Sequence, residues 1–210
     1  METQYVIVGG GGFGREIACW AMDVASSVGA GRVVGFLDDQ ATDASRFPEH
    51  LPYLGTIADY SPRESHQLLL TIGSTSAKRD IVATLKGRGA RFASLRHPTA
   101  VVAVTARLEE GVILCPYAVV SANAVLGEFV AVNIHSSIGH DVNVGAYSTI
   151  SAHVDLTGGV TLGQAVSVGS GARVLPGRHV GEGATVGAGA IVMRNVPVHA
   201  TVYSAAAKQL

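Results

Sequence analysis

Residues 126–167 read LGEFVA VNIHSS IGHDVN VGAYST ISAHVD LTGGVT LGQAVS, with an aliphatic residue at the head of every group of six. The period runs without interruption from Val102 to Val192, and all 16 positions are Val, Leu or Ile. Those three types fill 30 of the 96 residues in 102–197, so chance agreement is about 10⁻⁸. Four residues after each anchor stands Ala, Ser or Val in 15 of 16 cases, Arg178 being the exception. One residue after the anchor is Gly in seven cases: 127, 139, 145, 163, 169, 181 and 187. This is the hexapeptide repeat of a parallel β-helix, a triangular prism with six residues to a side and 18 to a turn. Aliphatic anchors point inward, and the glycines are expected to supply backbone freedom at the turns. Sixteen hexads make about 5.3 turns, or roughly 25 Å of prism at ~4.8 Å between strands.

Ahead of the repeat the pattern is different. Tyr5–Val8 is an apolar run ending in Gly9-Gly10-Gly11-Gly12, and Phe13–Val28 follows with helical spacing. Val33–Leu37 reads as a second strand closed by Asp38-Asp39, and Leu68–Ile72 as a third. Ser76–Gly87 reads as a helix and Arg91–Leu95 as a short fourth strand. Strand–helix alternation predicts a small Rossmann-like α/β domain with a parallel sheet. The expected division is residues 1–98 for this domain and 99–210 for the prism with a short C-terminal tail.

Composition agrees and excludes other classes. Glycine supplies 26 of 210 residues, charged residues only 15% and aromatics 6%. A net charge of −1 without a basic stripe argues against nucleic acid or an acidic membrane surface as partner. No apolar run approaches the ~18 residues of a membrane helix, and the N-terminus lacks the basic region of a signal peptide. Cys19 and Cys115, far apart in apolar settings, read as two buried free thiols of a cytoplasmic protein.

Val8–Glu16 (VGGGGFGRE), Phe36–Asp39 (FLDD), Ile72-Gly73, His97-Pro98 and Ile138–Gly145 (IGHDVNVG) together resemble the hexapeptide-repeat sugar acyltransferases of the sialic acid O-acetyltransferase and UDP-4-amino-sugar N-acetyltransferase type. The resemblance covers the whole chain. It implies a left-handed prism, a homotrimer with active sites between subunits, and acetyl-CoA as co-substrate with no metal. His140, in Ile138-Gly139-His140-Asp141, stands where the family has its general base, and Asp141 at its acid position. One turn above His140 is Gly158 and one turn below is Ala122, so space is left beside the imidazole; a backbone N–H at Gly158 suits a tetrahedral oxyanion. By motif position Ser170 and Ala188 fall near the pantetheine arm. Thr149, in place of the second histidine that some members carry nine residues after the base, is expected with Gly158, Ser170 and Ala188 among the coenzyme A-binding residues. Tyr203–Lys208 aligns with a tail usually written G-x-P-A-K, with Ser204 and Ala206 in place of its Gly and Pro.

Gly9–Gly14 also matches G-x-G-x-x-G after a strand and before a helix, with Asp38 at the end of the next strand. Alone this reads as dinucleotide binding, but about four strands are too few for the full two-half fold. Backbone N–H groups at a helix start favour phosphate in any case. The resemblance implies that Gly10, Gly11, Gly12 and Phe13 cradle the diphosphate of a nucleotide-linked sugar, with Asp38 or Asp39 near its base, sugar or amine.

Other side chains fit blander roles. His135 and His153 are 18 apart and should stack on one face, yet a zinc site lacks a third ligand because 117 is Tyr and 171 is Gly. Lining of the cleft between subunits is the expected role. His97 marks the domain junction. Ser170 sits in a hexad turn rather than a nucleophile elbow, and Cys115 has no base partner in its segment. The expected activity is direct acetyl transfer to a nucleotide-linked 4-amino-4,6-dideoxy sugar, with a His general base, in surface-glycan precursor biosynthesis. Alternatives are O-acetylation of sialic acid or a related sugar, a zinc carbonic anhydrase-like prism, or a non-catalytic binding subunit.

Overall fold

The computed structural model describes residues 3–29, 31–40 and 43–205. The N-terminal half runs β1 (Gln4–Val8), α1 (Gly12–Val28), β2 (Arg32–Leu37), β3 (His66–Leu70) and α2 (Thr75–Gly87). The three strands form one parallel sheet in the order β2-β1-β3. Val6, Ile7 and Val8 are fully buried, as a strand covered on both faces requires. Helix α1 stops at Gly29, whose φ of 63° suits a glycine after a helix end. Helix α2 starts where the Ser74 side chain accepts from the Ala77 N–H.

The expected fourth strand, Arg91–Leu95, is divided between two structures. Phe92 makes one isolated bridge with Leu68, flanked by hydrogen bonds on either side of it. Leu95–Arg96 is β4, which pairs with Ile113–Leu114 and is the first rung of the prism. A backbone edge already engaged by the prism cannot also extend the N-terminal sheet, so that sheet ends at three strands.

The prism has three parallel faces of two-residue rungs. The first holds seven rungs, from Leu95–Arg96 to Thr201–Val202; the second six, from Val101–Val102 to Ile191–Val192; the third five, from Arg107–Leu108 to His179–Val180. Register between neighbouring rungs is 18 residues, as in Ala131↔Thr149 and Ser137↔Asp155. The top coil is shorter: Thr185 pairs with Thr201, and Val180 bridges Val196. Anchors from Leu114 to Val192 are at most 5% exposed and form one cluster with the small residues four positions on. Two of those small residues are polar. The hydroxyls of Ser136 and Ser148 donate to Ser151 and Gly163 carbonyls and accept from the Val154 and Val166 N–H groups, which satisfies them inside the prism.

Each corner has a left-handed residue three places after the anchor, at every sixth position from 111 to 189. Eight of these are not glycine: Tyr117, Asn123, Phe129, His135, Asp141, Tyr147, His153 and Ala165. The expectation that the glycines one after the anchor provide turn freedom is therefore corrected. None of the seven has positive φ. A Cβ on Gly139, Gly145 or Gly163 would run into the backbone of the next coil, so close approach of chains is what requires glycine there.

The N-terminal domain rests on the first face. Ile17, Ala18 and Ala21 of α1 share a core cluster with Leu95, Ile113, Cys115 and Ala131. Helix α2 covers the edge between third and first faces, with Arg79 over the Tyr147 ring and Lys86 over Phe129. His97 sits in the junction, bonded to Thr99 and edge-on to Trp20. One expectation about the cysteines needs correction: both are free, but only Cys115 is buried and Cys19 is exposed.

Candidate active site

His140 and Asp141 lie on the edge between second and third faces, opposite the face that carries the N-terminal domain. Adjacent side chains normally diverge. Here Asp141 has φ 59°, and the twist turns its carboxylate back so that Oδ2 lies 2.8 Å from His140 Nδ1. Both side chains are exposed, 68% for His140 and 58% for Asp141, so a reactant can reach the ring. The hydrogen bond from His140, and then the amide of Asn123, hold the Asp141 carboxyl below its usual range. One coil above, Gly158 faces the other side of the ring. A Cβ on Gly158 would overlap Nε2 and Cε1 of His140. No acceptor among the described residues takes the Gly158 N–H. The arrangement gives an imidazole with Nδ1 directed at a carboxylate, Nε2 against Gly158 with no hydrogen-bond partner among the described residues, and a backbone donor one coil away.

The remaining prism residues singled out by sequence are elsewhere. Ser170 and Ala188 stack on the edge between first and second faces, linked through the Gly189 N–H to the Ser170 carbonyl at 2.9 Å. Ser204 donates to the Ala188 carbonyl at 3.3 Å; Ala206, Ala207 and Lys208 lie outside the described residues. On the same edge Tyr117, His135 and His153 stack ring on ring, with centroids 4.9 and 5.1 Å apart and the two imidazoles 2° from parallel. Parallel rings do not converge their nitrogens on one point. Among the described residues no three His, Cys, Asp or Glu side chains come together as a metal set. Thr149 lies on the first face, where its hydroxyl accepts from Lys78 at 2.8 Å.

The Gly-rich loop divides by cause. Gly9 has φ 115°, and a Cβ there would press on Ile72 Cδ1 and Thr71. A Cβ on Gly14 would overlap the Gly9 carbonyl. Both glycines serve the fold. Gly11 has nothing within 4 Å of an added Cβ, and Gly12 only the tip of Arg15. Helix α1 begins here with no side-chain cap and no acid in its first turn, leaving N–H groups and the positive dipole end open to an anion. Asp38 Oδ2 accepts the Gly10 N–H at 2.6 Å and braces the loop. Asp39 accepts from the Ile57 and Ala58 N–H groups at 2.7 and 3.1 Å. Phe13 is half-buried and packs into the core beneath α1.

Two residues escaped sequence reading. Lys78 is 1% exposed, and its ammonium reaches across the domain joint to Thr149 and to the Phe129 carbonyl. Burial pushes it down to about 7. Helical spacing places Lys78 on α2 but says nothing about what that helix covers. Asn123 bonds Asp141; its signal was available, since it precedes Asp141 by 18 residues. Cys115, pushed up to about 12 by burial, is no nucleophile.

Residues 4–85 match the family model of the PglD N-terminal domain. The whole chain superposes on the acetyltransferase domain of PglB from Neisseria gonorrhoeae at TM-score 0.87 with 28% identity, over 100% of both chains. The same domain in complex with acetyl coenzyme A gives 0.86 with 29% identity, again over 100% of both. A histidine mutant of perosamine N-acetyltransferase from Caulobacter crescentus, in complex with CoA and GDP-perosamine, gives 0.85 with 26% identity over 95% of this chain and 93% of that one. No curated protein matches the sequence. The superpositions supply the left hand of the prism, which the six-residue period leaves open. In its N-terminal domain and its left-handed hexapeptide prism the chain is similar, end to end, to these hexapeptide-repeat sugar acetyltransferases, and it is an acyltransferase.

Proposed function

We propose that this acyltransferase is an acetyl-CoA-dependent N-acetyltransferase of a nucleotide-linked 4-amino-4,6-dideoxy sugar. The observation that carries the reading is the His140–Asp141 pair beneath Gly158, with Nδ1 held by the carboxylate and Nε2 beside Gly158, without a hydrogen-bond partner among the described residues. The perosamine enzyme and the PglB domain, each solved with a coenzyme A species bound, support the choice of co-substrate and sugar class. With the proton on Nδ1, Nε2 is the basic nitrogen. It takes a proton from the sugar amine as the amine nitrogen attacks the thioester carbonyl carbon. The oxyanion of the tetrahedral intermediate accepts from the Gly158 N–H. Collapse breaks the carbon–sulfur bond, and the proton on Nε2 passes to the departing thiolate. Such a base contributes roughly 10²–10⁴ in rate.

The nucleotide is assigned to the glycine loop, at Gly10, Gly11, Gly12 and Phe13, with Asp38 and Asp39 behind it. This placement bears on assembly. The loop belongs to a domain seated on the first face, and Ser170 and Ala188 lie on the edge between first and second faces. His140 and Gly158 occupy a different edge of the same prism. Packing the edge of one prism against a neighbour would bring such separate groups to a single substrate. We infer a trimer in which CoA lies between adjacent prisms, with His140 of one protomer facing the loop and the Ser170 edge of its neighbour.

The test supplies acetyl-CoA with a nucleotide 4-amino sugar and, separately, with free sialic acid. Acetylation of the amino sugar, lost by at least ~10² in His140→Ala, is the expected result. Near-normal turnover in that variant overturns the role of His140, and acetylation of sialic acid alone replaces the substrate.

A further inference from the structure

The His140–Asp141 pair has a third member. Asn123 and Asp141 are 18 residues apart and stack on one edge, both with φ 59°. Asn123 Nδ2 donates to Asp141 Oδ1 at 3.1 Å, while Asp141 Oδ2 lies 2.8 Å from His140 Nδ1. The base of the column is tied down as well, since the Asn123 N–H donates to Thr105 Oγ1 at 3.0 Å. A left-handed corner suits Asn on conformational grounds. That preference does not direct the amide at the carboxylate. Higher in the column, Gly159 and Gly177 meet the same conformation with no side chain.

We propose that Asn123 is a positioning residue, whose amide holds the Asp141 carboxylate in the orientation that presents Oδ2 to His140. The need is physical. An exposed carboxylate turns freely about χ1 and χ2, and an ion pair this open to water is weak by itself. A second hydrogen bond, to the oxygen that His140 does not use, restricts that rotation and keeps the imidazole aimed at the reacting amine. The inference rests on reading His140 as the base.

Asn123→Gly tests it, because glycine keeps the left-handed backbone without strain and removes only the amide. The expected result is a kcat lowered about tenfold, the scale of one charge-assisted hydrogen bond, with KM for both substrates within twofold. The two groups acting on the Asp141 carboxyl are His140 and Asn123. Its carbon-13 resonance should therefore titrate at higher pH in the variant. Asn123→Asp is the second variant: it replaces the donor with a like charge, so its kcat should fall below that of Asn123→Gly at pH 8. Wild-type kcat together with an unchanged Asp141 titration in Asn123→Gly overturns the proposal. The titration does not depend on turnover. If His140→Ala keeps activity, the base assignment fails on its own, and the Asn123 contact is still measured.

Discussion

Gly158 sits one coil above His140, and the imidazole occupies the space where a side chain at 158 would begin. The contact is between a ring and a backbone, with no room for a methyl group. Gly158→Ala should therefore swing the ring away from Asp141 while the prism, which has no positive φ to satisfy at 158, stays folded. A loss of at least ~10² in kcat is expected, with a melting temperature within a few degrees of wild type. Steady-state kinetics and a thermal melt check it.

The two classes of loop glycine should separate under substitution. Gly14→Ala pushes a methyl into the Gly9 carbonyl and should destabilise the domain by about 1–3 kcal/mol in urea. Gly12→Ala meets only the tip of Arg15 and should leave stability nearly unchanged. On the proposed placement of the phosphates it should weaken binding of the nucleotide sugar, read by calorimetry, because the added methyl stands at the open helix start. Equal effects on stability would contradict this division.

Prism glycines provide the parallel case. Gly145→Ala has no dihedral strain to overcome but collides with the Gly163 backbone, and should cost at least the upper part of the ~1–3 kcal/mol of overpacking. Gly171→Ala has open space and φ 71°, so it should cost only the roughly 1–2 kcal/mol of a left-handed alanine. Paired denaturant melts decide it.

Lys78 makes stability depend on pH. Its folded value is depressed to about 7, well below the ordinary 10.5. Between those values the unfolded chain holds a proton that the folded chain lacks, so stability rises with pH across that window. From pH 7 to 9 the gain is about 2 kcal/mol relative to Lys78→Met, which has no proton to exchange. Below pH 7 both states are protonated and the dependence vanishes. A flat difference between the two proteins from pH 7 to 9 would show the ammonium to be solvated.

Much of this molecule is legible in its sequence because the repeat is local. Burial recurs every six residues along the chain, so Leu126, Ile138 and Ile150 declare themselves as core without knowledge of any partner. The same counting placed Gly158 beside His140 and stacked His135 on His153, since a coil is 18 residues and register follows. The glycine loop and its helix were visible for a similar reason: strand, turn and helix start are contiguous.

What counting along one chain could not reach was the outcome of competition between parts. Leu95 belongs to the prism ladder and not to the N-terminal sheet because one backbone edge can pair only once. Gly145 is a glycine for the sake of Gly163, and Gly14 for the sake of Gly9, and neither neighbour is marked in the local pattern. Lys78 loses its solvent only when α2 docks on the prism. The sequence by itself determined the prism, its register and its histidine–aspartate corner, through the hydrophobic period. The tertiary structure alone decided which edge faces the N-terminal domain, because docking buries one face and leaves His140 on the edge opposite it.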